Sequence, residues 1–123
     1  MALGGNSHAE GSITTASGAS SHSEGENTLA SGDYSHAEGV YTESSGMYSH
    51  AEGYKTQTIN NAEHAQGKYN LSHINTIHSI GIGSKSTRMN AVEVLNNGDV
   101  YITGIGHYEG TDTNEQDSDI KPI

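Results

Sequence analysis

Histidine and glutamate share one short frame that returns every fourteen residues: SHAEG at 7–11, SHSEG at 21–25, SHAEG at 35–39 and 49–53, and EHAQG at 63–67. The frame sets His8 beside Glu10, His22 beside Glu24, His36 beside Glu38, His50 beside Glu52, and His64 beside Gln66. Imidazole and carboxylate two residues apart can exchange a hydrogen bond or a charge. Stacked carboxylates repel unless paired, and histidine relieves that repulsion as donor or cation. Two other readings stay open. The pairs are solvated and merely record duplication, or several imidazoles converge on a transition metal.

The elements that position these pairs follow from glycine. It stands at 4, 11, 18, 25, 32, 39, 46 and 53, a step of seven; Asn60, a type that tolerates left-handed backbone, takes the next slot, and Gly67 follows. A second half-repeat alternates with the first: TASG at 15–18, LASG at 29–32, ESSG at 43–46 and QTIN at 57–60. A heptad coiled coil is excluded. Its apolar positions would hold Gly, Ser or His, and glycine costs a helix about 1 kcal/mol each time. The S-x-x-E capping box fails as well, because no apolar helical run follows it. Short strand, turn and short strand fit the pattern, so fourteen residues make one coil of a β-solenoid, stacked at about 4.8 Å.

Strand alternation assigns the faces. Ser7, Ala9 and Gly11 share one face with Thr14, Ala16 and Gly18, so the coil is filled by small residues. This resolves a paradox in composition. Leu, Ile and Val number 18 of 123 residues, with no Phe and a net charge of −10, a balance typical of disorder. A core of alanine-sized fillers struggles to offset about 1–2 kcal/mol of backbone ordering per residue. Such a roll needs partners. Of its two outward faces, one varies, with Thr15, Leu29, Glu43 and Gln57 in one column and Ser17, Ser31, Ser45 and Ile59 in the next. The other repeats His and Glu coil after coil, ending in His64 and Gln66, and so repeated an environment argues for a subunit interface.

With this frame, residues 4–67 resemble the YadA-like head repeat of trimeric autotransporter adhesins and phage or prophage tail-fibre proteins, built around S-x-A-x-G. The resemblance implies a homotrimeric left-handed parallel β-roll of fourteen-residue coils. The family's inner strand reads like SVAIG, with two apolar residues at the trimer interface. Here those positions hold His8, Glu10, His22, Glu24, His36, Glu38, His50, Glu52, His64 and Gln66. The interface is therefore expected to be polar, with imidazole and carboxylate paired between subunits and greatest stability in mildly acidic solution. Metal capture, on this reading, needs His8, His22, His36, His50 or His64 of three subunits to meet on the axis, because fourteen-residue spacing in one chain is not a ligand motif.

Three segments are expected: head repeats over 1–67, a transition or cap over 68–90, and a hairpin neck with a polar tail over 91–123. After Gly67 the fourteen-residue register is expected to fail. Residues 68–83 are rich in isoleucine (Ile74, Ile77, Ile80, Ile82) and read as a hydrophobic plug, with His73 and His78 as packing or surface residues. GSKST at 83–87 is no phosphate loop, since Ser84 rather than glycine precedes Lys85. Asn97-Gly98 signals a two-residue hairpin turn that sets Leu95 opposite Val100 and Val94 opposite Tyr101. RMNAVEVLNNGDVYITGIG also resembles segments that follow such head repeats in phage and prophage fibres.

The stretch from Met1 to Tyr54 holds seven acids and no Lys or Arg, so nucleic acid and anionic membranes should repel the chain. No apolar run is long enough to span a bilayer, the start has no signal-peptide pattern, and no cysteine is present. No catalytic arrangement or cofactor motif is found, and an enzyme is not expected. The expected role is a segment of a trimeric phage tail fibre, a rigid spacer that contacts a bacterial cell-surface receptor, located in the virion tail. The alternative is the head of a bacterial surface adhesin, on the cell surface. A metal-binding or ice-binding solenoid ranks lower, since Thr14, Thr28, Thr42 and Thr56 should point inward and leave no flat hydroxyl array.

Overall fold

A computed structural model describes residues 1–103, which form twelve strands and no helix. Five-residue strands β1 (His8–Ser12), β3 (His22–Glu26), β5 (His36–Val40), β7 (His50–Tyr54) and β9 (His64–Lys68) alternate with two-residue strands β2 (Thr15–Ala16), β4 (Leu29–Ala30), β6 (Glu43–Ser44) and β8 (Gln57–Thr58). The long strands pair in parallel with equivalent residues opposite, His8 on His22 and Glu10 on Glu24. The short strands form a second, four-stranded parallel sheet. The chain is a parallel β-solenoid with fourteen-residue coils.

Its interior is as small as the repeat predicts. Among the described residues the buried apolar side chains are those of Ala16, Ala30, Ala37, Ala51 and Ala65, and nothing larger. Serine and threonine fill most of the rest, and most of the hydroxyls that bond do so locally. The hydroxyls of Ser21, Ser35 and Ser49 donate to the carbonyls of Gly18, Gly32 and Gly46 at 2.6–2.7 Å. Ser23 shares a hydrogen bond with Thr28 at 2.7 Å, and Ser44 one with Ser49 at 2.8 Å. One hydroxyl breaks the pattern: Thr42 Oγ1 is buried with no partner.

The seven-residue glycine step serves two different needs. Gly39 and its equivalents, half-buried or exposed, combine a φ near +111° with a close approach to the next coil, outside the interior where alternation would place them. Gly32 has no positive φ; it is glycine because a Cβ there would sit 2.1 Å from the Gly46 carbonyl oxygen of the next coil. Asn60 in the same column needs no left-handed backbone either. The left-handed positions fall elsewhere, at Asn6, Ile13, Ser20, Asn27, Tyr34, Tyr41, Tyr48, Lys55, Ala62 and Tyr69, again every seven residues. Coil stacking holds them there: the amides of Tyr41 and Tyr48 donate to the carbonyls of Glu26 and Asp33 at 2.9 and 3.0 Å.

Beyond Gly67 the register persists where it was expected to fail. Strand β10 (Thr76–Ile82) runs parallel to β9, with His78 opposite His64, Ser79 opposite Ala65 and Gly81 opposite Gly67. Strands β11 (Asn90–Leu95) and β12 (Val100–Ile102) then add antiparallel, so the hairpin continues the eight-stranded sheet. Its register also differs by one residue. Val94 pairs with Val100 and Glu93 with Tyr101, because the loop has three residues: the Leu95 amide donates to Asp99 O, and Gly98, at φ +98°, donates to Leu95 O. The polar tail expected to end the 91–123 segment lies, from residue 104 on, outside the described residues.

Candidate functional site: the histidine–glutamate face

Parallel stacking turns the fourteen-residue spacing into contact. The rings of His22, His36, His50, His64 and His78 lie 4.6–4.9 Å apart, within 12° of parallel, and His8 tilts by 41° at the open end. Nε2 of His22, His36 and His50 each lies between two carboxylates, its own coil's and the preceding coil's. His36 Nε2 is 3.2 Å from Glu24 and 3.9 Å from Glu38; His50 Nε2 is 3.0 Å from Glu38 and 3.6 Å from Glu52. His8 and His22 flank Glu10 at 3.5 Å each, His22 stands 3.7 Å from Glu24, and His64 lies 3.5 Å from Glu52. Within one chain the coil stack alone brings imidazole and carboxylate to 3.0–3.9 Å, with direct hydrogen bonds only at His36–Glu24 and His50–Glu38.

His78 is the sixth rung, not an isolated packing residue. Its Nε2 meets Gln66 Oε1 at 3.3 Å, and Ile80 stands where the other coils carry glutamate. The signal was present in the sequence, since His78 follows His64 by fourteen residues. Its pKa is lowered, by burial first and then by His64, against the opposing charge of Glu52. That is the reverse of the rise expected for a carboxylate-paired histidine, and burial is the main reason; the Gln66 amide beside it brings no charge to offset that burial. Glu24 is held below the ordinary carboxylate range, chiefly by hydrogen bonding with Glu38, then, against burial, by Glu10, His36 and the charge of His22. At Glu52 burial pushes upward most strongly, but Glu38, His50 and His64 together bring the carboxyl down. An open groove lined by Glu10, Gly11, Glu24, Gly25, Glu38 and Gly39 runs along this edge.

The short sheet ends differently. Strand β8 has no following strand, and side chains stand in for one. Asn70, in the column of Thr14, Thr28, Thr42 and Thr56, is fully buried; its Oδ1 accepts from Gln57 N at 2.8 Å and its Nδ2 donates to Gln57 O at 3.0 Å. Glu63 replaces the column's serine. Its Oε1 accepts from the amides of Ile59 and Asn60 at 2.8 and 2.9 Å, and Ser72 Oγ donates to both oxygens. The closure is polar, where an isoleucine plug was expected; Ile74 and Ile82 are exposed. His73 belongs to it, with Nδ1 2.7 Å from Glu93, which also accepts from Thr76 Oγ1.

No protein-family model matches the chain, and neither a curated protein nor a solved structure matches it.

Proposed function

We propose that the chain is a structural and interaction segment of a homotrimeric fibre, of the kind that phage and prophage tails carry, working as a rigid spacer with receptor contacts on its variable face. The observation that carries this reading is the alanine-only apolar core. Five alanines supply too little burial to order a stack of this length, so the stabilising area must come from another surface. The face that recurs unchanged is the His–Glu face, whose members from His22 to Glu52 remain about one-third exposed in the single chain. The resemblance of residues 4–67 to YadA-like head repeats supports three-fold assembly through the same positions, left-handed coiling, and a virion-tail location or, as the alternative, a bacterial surface adhesin.

The testing experiment is the solution mass of the full chain by light scattering after size exclusion. The expected result is three times the single-chain mass of 12.9 kDa, in an elongated particle. A folded monomer at 12.9 kDa overturns the reading and returns the His–Glu face to solvent.

A further inference from the structure

We propose that the His–Glu ladder is an array of transition-metal sites built within one chain, each from two stacked imidazoles and the carboxylate between them, and that it loads two ions per chain. Four donor sets lie along the stack: His8–Glu10–His22, His22–Glu24–His36, His36–Glu38–His50 and His50–Glu52–His64, the ligand atoms of each within 4.8 Å of one another. No three-fold axis is needed. The coil stack joins residues fourteen apart, which a reading of the chain as a linear string could not do.

The geometry favours a shared ion over direct hydrogen bonds. Six of the eight nitrogen–oxygen separations between ladder His and Glu are 3.5–3.9 Å, beyond hydrogen-bond reach. Nε2 of His22 and of His64 are shielded from solvent and have no hydrogen-bond partner. Donor atoms at about 2.0–2.1 Å from a tetrahedral zinc lie about 3.3 Å apart, close to these nitrogen–oxygen separations; the stacked rings, 4.6–4.9 Å apart, must tilt toward each other for both nitrogens to bind. Imidazole with carboxylate suits Zn²⁺, Ni²⁺ or Cu²⁺, whereas Ca²⁺ asks for an all-oxygen shell. The carboxylates of successive coils also repel at this spacing, and a divalent cation between two rings relieves that repulsion.

Stoichiometry follows from sharing. An Nε2 has one lone pair, and His22, His36 and His50 each belong to two sets, so neighbouring sets cannot both fill. Five histidines in a row therefore give two ions. The upper end adds none, because Gln66 offers a neutral amide between His64 and His78.

The test is calorimetric titration of the full chain with Zn²⁺, with Ca²⁺ as the hard-cation control, on wild type and single variants of confirmed fold. His22→Gln leaves only the overlapping sets of His36, His50 and His64, and His50→Gln leaves the mirror arrangement, so each should bind one Zn²⁺ fewer than wild type. His36→Gln leaves His8–Glu10–His22 and His50–Glu52–His64 intact and should bind as many as wild type. Sites elsewhere in the chain add equally to every variant and cancel. Equal stoichiometry in all four proteins, an equal loss in all three variants, or Ca²⁺ uptake matching Zn²⁺ overturns the proposal. Mass is read in the same samples. Two ions on a monomeric species would keep the array and sink the trimer; a trimeric species without this variant pattern would do the reverse.

Discussion

The two sheets of the solenoid begin alike and end differently. The long-strand sheet continues past the repeat into β10, β11 and β12, accepting Ile80 for glutamate and reversing strand direction on the way. The short-strand sheet stops at β8, where Asn70 takes up the amide and carbonyl of Gln57 and Glu63 the amides of Ile59 and Asn60 just beyond the strand. The difference teaches what each sheet demands. A five-residue strand has enough backbone bonds to recruit any extended neighbour. A two-residue strand has only a few, so buried side chains can replace a neighbour completely, and must, because an unpaired buried amide costs about 1–3 kcal/mol.

The largest effect should come from breaking the long sheet's stacking. A Cβ on Gly39 would meet the Gly53 carbonyl oxygen at 2.2 Å, on a backbone already at φ +111°. Gly39→Ala should destabilise by about 4 kcal/mol or more in chemical denaturation. Gly5→Ala, with open space around its Cβ, should stay within about 0.5 kcal/mol. If the two variants unfold together, stacking does not govern this sheet.

Next comes the short sheet's closure. Glu63→Leu orphans the Ile59 and Asn60 amides and should cost about 3 kcal/mol. Hydrogen exchange at those two amides should accelerate while amides of β5 keep their protection. Acceleration spread evenly over both sheets would mean that the closure is not local.

A smaller effect, of opposite sign, is expected where the short sheet wastes a polar group. Thr42 Oγ1 is buried without a partner, so Thr42→Val should raise stability by about 1 kcal/mol in the same denaturation assay. A loss would show that the hydroxyl finds a bond in solution.

The last effect separates the sheets by pH. Glu24 and Glu52 have depressed folded pKa values, so their contribution is complete above the ordinary carboxylate value and is lost as pH falls through the folded one. His78 is also depressed, so stability begins to fall once pH drops below the ordinary histidine value. All three groups lie on the long-strand sheet. The melting temperature should therefore decline from pH 7 towards pH 4, reversing the sequence expectation of a mildly acidic optimum. The joint replacement of Glu24 and Glu52 by Gln should flatten the lower part of that decline; a maximum near pH 5 would contradict it.

The coil length, the small interior and the outward His–Glu columns were legible because each is written as identity at a fixed interval. The left-handed corners were not. Ile13, Tyr41 and Lys55 share no chemistry that marks such a backbone, and the stacked amide bonds that hold it are invisible along the chain. The persistence of the register at His78 was hidden by Asn70, Ser72 and Ile80, which break the residue pattern while keeping its spacing. The contact of each ladder histidine with the neighbouring coil's glutamate was not legible either, because sequence shows which residues face outward, not how near the next coil brings its own copy.

The two kinds of glycine also constrain how such a protein can change its length. Loss or duplication of fourteen residues removes or adds one layer of about 4.8 Å and leaves every column aligned. Loss of seven does not. It would bring Gly32, set for close approach, onto the corner that Gly39 turns with φ +111°, and would place a Leu29-type residue where a histidine ring must stack. Length in this molecule is a digital variable, and its smallest permitted step is one whole coil.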